Sequence, residues 1–202
     1  MADHLKYAGT GFAAQRRALV DIIVGDPLLM YLLQRIEALG LPDPLLASGV
    51  IYNVVWNVLT GRPRYRGIRD ADLAYFDASD VSYEAEDRVI GRARTHFAES
   101  LVPVELRNQA RVHLWFPERF GIDYPRLTAS ADMLRYFATR THAIAARLEH
   151  GTIRIFAPFG LDDLFSFRLT PNPVLPNRAT HEGKAARALA LWPELTLVAW
   201  PG

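Results

Sequence analysis

Residues 48–77, SGVIYNVVWNVLTGRPRYRGIRDADLAYFD, constrain the fold of this chain more than any other stretch. They open on a small-residue turn, Ser48-Gly49, run through a helix-like segment to Leu59, cross an arginine-studded loop and enter a strand bearing Asp70 and Asp72. A turn at a helix N-terminus leaves backbone N–H groups without intrahelical acceptors, which suits an anion. Residues two apart on a strand share a face and lie about 6.6 Å apart, so the two carboxylates can converge on one cation, or on a pair about 4 Å apart. An anion-binding turn beside paired carboxylates is an arrangement that can hold a nucleoside triphosphate with its magnesium. On its own, Asp-Ala-Asp equally describes a strand edge or turn facing water.

The flanking segments supply the frame. Apolar residues at three- and four-residue steps (Phe12, Leu19, Ile22, Ile23) predict a helix over 12–24. Gly25-Asp26-Pro27 breaks it, and Asp26 caps a second helix that Gly40 closes. A short strand, 45–47, delivers the Ser48-Gly49 turn to a helix over 50–59, with Val54, Val55, Val58 and Leu59 toward a sheet. Strand 68–76 follows, then a helix over 83–97 capped by Ser82. In 102–107, apolar Val102, Val104 and Leu106 alternate with polar positions, so Glu105 faces away from the core as the natural third carboxylate. Residues 108–116 admit two readings: a short helix capped by Asn108, or a strand with Arg111 and His113 on one face. Further on, the pattern predicts a helix over 129–138, a hairpin of 144–148 with 152–156, a short helix over 161–167, a helix over about 182–191 and a terminal strand over 195–200. The fold class expected is α+β, α/β-like, a mixed β-sheet backed by helices, in one domain over 1–202 with a C-terminal elaboration from about residue 128.

Composition narrows the chemistry. With 23 basic and 22 acidic residues the net charge is +1, which argues against a general polyanion binder and makes any phosphate recognition local. There is no cysteine, so disulfides, thiolate metal sites and cysteine nucleophiles are excluded together. The apolar run 19–33 is broken by Asp21 and Asp26-Pro27, and no signal-peptide pattern opens the chain, so the expectation is a cytoplasmic protein with no membrane association. The six histidines show no His-x-x-x-His spacing, and the Walker, Gly-x-Ser-x-Gly and dinucleotide patterns are missing. Secondary candidates each have two readings. Arg62, Arg64, Arg66 and Arg69 steer a triphosphate or form a solvated surface; Asn53 bonds substrate or its own turn; Arg111 and His113 contact nucleotide or pack structurally. Trp56, Trp115, Trp192 and Trp200 read as core.

The stretch 48–77 resembles the head motif of the DNA polymerase β nucleotidyltransferase superfamily: a Gly-Gly or Gly-Ser turn, a helix, then Asp-h-Asp-h on a strand. The likeness is closest to a group of small bacterial nucleotidyltransferase-like proteins, and it continues through VELRNQARVHLWF, APFGLDDLFSFRLTPNP and the final LWPEL, covering most of the chain from about residue 35. It implies a polymerase β-like fold in which Asp70, Asp72 and Glu105 are the catalytic, magnesium-binding acids, with room for two ions. Ser48 and Gly49 would cradle the triphosphate, with Asn53, Arg69, Arg111 and His113 as further nucleotide contacts. A nucleoside monophosphate would pass from NTP to an acceptor left open among a small molecule, an RNA end and a protein. Two departures stand out: related heads usually carry arginine where this chain has Tyr52, and the small family often has aspartate where it has Asn57. Loss of that cation is the basis of an alternative, a non-catalytic nucleotide-binding regulatory or partner-binding protein that retains the fold.

Overall fold

The computed structural model describes residues 3–201. Two antiparallel-packing helices open it, α1 (Phe12–Val24) and α2 (Pro27–Leu39). The Asp26 carboxylate caps α2 by accepting from Leu29 N at 3.0 Å, and Gly40 ends it in the left-handed conformation at φ 67°. Strand β1 (Leu45–Ala47) then leads directly into α3 (Gly49–Leu59), and β2 (Ala71–Tyr75) is joined through α4 (Tyr83–His96) to β3 (Val104–Asn108). The hairpin β4 (Ala145–Glu149) and β5 (Thr152–Phe156) completes a five-stranded sheet of order β3-β2-β1-β4-β5. Only β2 and β3 run parallel, as their helical crossover requires; the other pairs are antiparallel. The sheet is therefore mixed, and the fold is α+β as expected.

Period-two alternation sorts the strand residues between two faces. Leu46, Leu73, Leu106 and Ala146 join the core formed with Leu29, Leu32, Leu33, Val54 and Val55 of the helices. Leu45, Ala47, Ala74 and Ala145 point the other way, where Leu127, Met133 and Leu134 cover part of the sheet. Asp72 follows Ala74 in this alternation, and Glu105 is its register partner across the parallel ladder, so both acids emerge on the second, partly covered face.

Several boundaries differ from the sequence reading. Asp70 precedes the ladder, because Gly67 turns at φ 80° and the first ladder bond is Ala71 N to Pro103 O at 2.8 Å. Val58 does not face the sheet; it is 39% exposed. Asn108 caps a short 3-10 turn, accepting from Ala110 N, and this runs into α5 (Val112–Phe120), so the helical reading of 108–116 is the one realised. Residues Ser130–Tyr136 form a 3-10 helix instead of an α-helix. There the Asn172 amide donates to the carbonyls of Arg135 and Phe137, each at 2.8 Å. After α6 (Asp162–Phe165) and β6 (Arg168–Leu169), α7 begins at Arg178, one turn earlier than read, and ends at Leu191. The terminal strand shortens to β7 (Thr196–Leu197), which pairs in parallel with β6 in a separate two-stranded sheet.

Candidate active site

The side chains of α3 hold the two halves of the chain together. Trp56 is fully buried, donates from Nε1 to Leu164 O at 3.0 Å and lies 5.2 Å from Trp192 between ring centroids. Asn57 is also fully buried: its amide donates to Arg64 O and Arg66 O, both at 2.9 Å, while its carbonyl accepts from Trp192 Nε1 at 2.9 Å. An aspartate there could accept from Trp192 but could not donate to the two loop carbonyls. Gly67 packs so closely that a Cβ would stand 2.6 Å from Leu191 Cδ1. These contacts press the basic loop and the end of α7 against α3 and so close one side of a cavity of about 320 Å³.

The floor of that cavity is the start of α3. Ser48 adopts φ 54°, unusual for a residue with a Cβ. Its N–H donates to Ile144 O at 2.8 Å and its carbonyl accepts from Ile51 N and Tyr52 N. Its hydroxyl does not cap the helix. Among the described residues no backbone carbonyl accepts from Gly49 or Val50, the first two N–H groups of α3. A Cβ at Gly49 would meet nothing nearer than Tyr52 Oη, at 4.0 Å, so the missing side chain leaves room for a guest and relieves no clash within the chain.

Asp70 and Asp72 line the same cavity, with Asn53 and Arg69. Asn53 also donates to Gly67 O at 3.3 Å. Burial raises the Asp72 carboxyl above the ordinary carboxylate range and the charge of Asp70 raises it further, while Lys184 draws it back. Burial lowers the Lys184 ammonium despite its acidic neighbours. Both side chains still meet solvent at the cavity mouth. Lys184 and Arg187 of α7 line the same cavity as the acids, a contribution that the sequence reading missed. Their one signal was the three-residue spacing, which sets both on one face of an amphipathic helix. Tyr52 stands where related heads carry arginine; burial, then the charge of Asp72, raises its hydroxyl well above the ordinary value, so it remains a neutral donor.

The other expected contacts go elsewhere. Glu105 lies beside Asp72 on β3, is about half exposed and pairs with Arg107 at 3.7 Å; it lines a second cleft that adjoins the cavity at Asp72. Among the described residues no three His, Asp or Glu side chains gather closely enough to hold a metal ion, so the three acids do not close a cage. Arg111 and His113 do not line the cavity. Arg111 is ion-paired with buried Glu86 and donates to Val81 O at 3.2 Å, tying α5 to α4. Of the four loop arginines, Arg62 pairs with Glu194 at 2.8 Å, Arg64 pairs with Asp26 at 3.3 Å and Arg66 is exposed outside the cavity lining, while Arg69 reaches the cavity. Trp115 is not core but lines the second cleft.

Residues 34–197 match the family described as nucleotidyltransferase. The chain belongs to that family. Its fold is also similar to a solution NMR structure described as revealing a CCA-adding enzyme head domain. The TM-score is 0.73 at 24% identity, over 91% of this chain and 96% of that one. No curated protein matches it. Membership places the paired acids, the open helix terminus and the α7 cations in a fold associated with nucleotidyl transfer, and no described helix is long and apolar enough to cross a membrane.

Proposed function

We propose that this cavity binds a magnesium-complexed nucleoside triphosphate and that the protein transfers the nucleoside monophosphate to an acceptor, releasing pyrophosphate. The observation that carries this is the convergence, in one cavity, of two carboxylates, the open N-terminus of α3 at Gly49 and two cations from a distant helix. Asp70 and Asp72 offer a hard, oxygen-only donor set, and burial and the charge of Asp70 make the Asp72 charge costly until a cation joins them, so they fit magnesium. When bound, the metal would stabilise charge building on the phosphate oxygens. The N–H groups of Gly49 and Val50 donate to the β- and γ-phosphates, and the Tyr52 hydroxyl adds a neutral donor beside them. Lys184 and Arg187 neutralise the departing pyrophosphate, taking the place of the head arginine that Tyr52 displaces. Asn53 and Arg69 orient the substrate at the rim. The cysteine-free composition suits the reducing cytoplasm, where we place the reaction.

Incubation with magnesium, each of the four α-labelled NTPs and a cell extract separated into small-molecule, RNA and protein fractions tests the transfer. The expected result is label in one fraction with wild type and none with Asp72→Asn. Equal labelling by the variant, or transfer of γ-label in place of α-label, contradicts it. One observation favours the second reading, binding without transfer: Glu105 is held by Arg107 and does not close on the other two acids. That reading yields NTP binding with no label moved in any fraction.

A further inference from the structure

Adjoining the first cavity at Asp72 lies a second cleft of about 370 Å³, at the small end of ligand-site volumes. It shares Asp72 and Lys184 with the first cavity, so the two meet at the carboxylate. Its walls are aromatic. Phe116 lies 4.6 Å from Phe120 and 4.6 Å from Tyr124 between ring centroids, and Trp115 and Phe137 complete the lining. Phe120 packs beside Phe116 and Trp115 yet keeps 51% of its surface exposed at the end of α5. The lining also carries one uncharged polar side chain, Gln109, which is only 7% exposed. The charges at the rim cancel, Asp72 and Glu105 against Arg107 and Lys184.

We propose that this cleft is the acceptor site and that it selects an uncharged, hydroxyl-bearing aromatic small molecule. The inference rests on the nucleotidyl-transfer reading and gives its acceptor a chemical class. In-line displacement requires the nucleophile to approach opposite the leaving pyrophosphate. With the triphosphate tail against the start of α3, the acceptor enters from this cleft, which adjoins the cavity at Asp72 and Lys184. An aromatic ring stacks between Phe116, Phe120 and Trp115, and the Gln109 carboxamide fixes its orientation by hydrogen bonding. Its hydroxyl oxygen then reaches the α-phosphorus beside Asp72. A new O–P bond forms, the bond from the α-phosphorus to the pyrophosphate oxygen breaks, and the hydroxyl proton passes to the Glu105 carboxylate and on to solvent. An RNA end is poorly served, because its phosphates would meet a rim of zero net charge. A protein surface is too large for a cleft of this volume.

Calorimetric titration of 2-naphthol into wild type, Phe120→Asp and Gln109→Ala, with a parallel titration of a magnesium-complexed, non-hydrolysable NTP, decides the matter. Phe120→Asp disturbs little of the fold, since that ring is half exposed. The expected result is that 2-naphthol binds wild type, that both substitutions weaken it about tenfold, and that NTP affinity stays within about twofold. NTP binding without 2-naphthol binding overturns the acceptor assignment alone. A loss of NTP affinity in Phe120→Asp also overturns it, because the nucleobase would then occupy the cleft. Failure of wild type to bind NTP removes the transfer reading, and the acceptor role with it.

Discussion

His142 is the residue whose surroundings make the clearest demand. It is 2% exposed, its ring stacks on Tyr52 at 4.3 Å, and neither ring nitrogen has a partner among the described residues. Burial, reinforced by the charges of Lys184, His181 and Arg187, holds it well below the ordinary 6.5. As the pH falls below that value the unfolded chain binds a proton that the native protein refuses. Stability is therefore full above pH 6.5 and declines below it, by at most about 1.4 kcal/mol per pH unit from this residue. The variant His142→Phe keeps the stack and removes the titration, so its Tm should fall less steeply between about pH 7 and pH 5, with the depressed His181 leaving a residual slope. Equal slopes for the two proteins would contradict this. Asn57→Asp strips the donors from Arg64 O and Arg66 O and buries a charge, and should cost about 2–4 kcal/mol in denaturant unfolding. At this scale Asp70 and Asp72 were legible from their two-residue spacing after the turn and helix, although only Asp72 lies on β2 and Asp70 just precedes it. Asn57 was visible only as a departure from a pattern. Its reason, two carbonyls and an indole from elsewhere in the chain, exists only once the chain has folded.

Two glycines separate the demands of structure from those of the site at the level of elements. Gly67, at the end of the basic loop, has φ 80° and no room for a Cβ against Leu191, so Gly67→Ala should destabilise the protein by about 2–4 kcal/mol. Gly49, in the first turn of α3, has neither constraint. Gly49→Ala should unfold at nearly the wild-type temperature while binding triphosphate at least about tenfold more weakly, because the added methyl occupies the space beside the open N–H groups. Tight triphosphate binding by that variant would refute the role of this turn. Likewise Lys184→Ala and Arg187→Ala, both at exposed positions, should leave Tm unchanged and raise the Kd for triphosphate by about tenfold or more each. The helices and the β4–β5 hairpin were legible from periodicity and caps: Asp26, Ser82 and the His150-Gly151 turn all fall where their chemistry predicts. The 3-10 geometry of the 130–136 segment was not, and its end is held by a side chain distant in sequence, Asn172, which donates to Arg135 O and Phe137 O from 37 and 35 residues away.

Over the whole molecule, the cavity is a product of chain closure. Its acids come from the loop and strand that follow α3, its N–H groups from the start of α3, and its cations from a helix more than a hundred positions downstream, pinned there by the contacts of Trp192 with Asn57 and Trp56. Local patterns display the first two contributions and not the third, since nothing in the order of residues states that α7 returns to the mouth of β2. The same closure spreads the three acids, with Asp70 in the triphosphate cavity, Glu105 in the aromatic cleft and Asp72 lining both. Calorimetric titration of the four magnesium-complexed, non-hydrolysable NTPs into wild type and into the Asp70→Asn/Asp72→Asn variant tests this account most directly. It predicts that at least one NTP binds wild type with a Kd between about 1 μM and 1 mM and that binding is lost in the variant or when magnesium is omitted. Absence of binding by all four, or undiminished affinity in the variant, would contradict it.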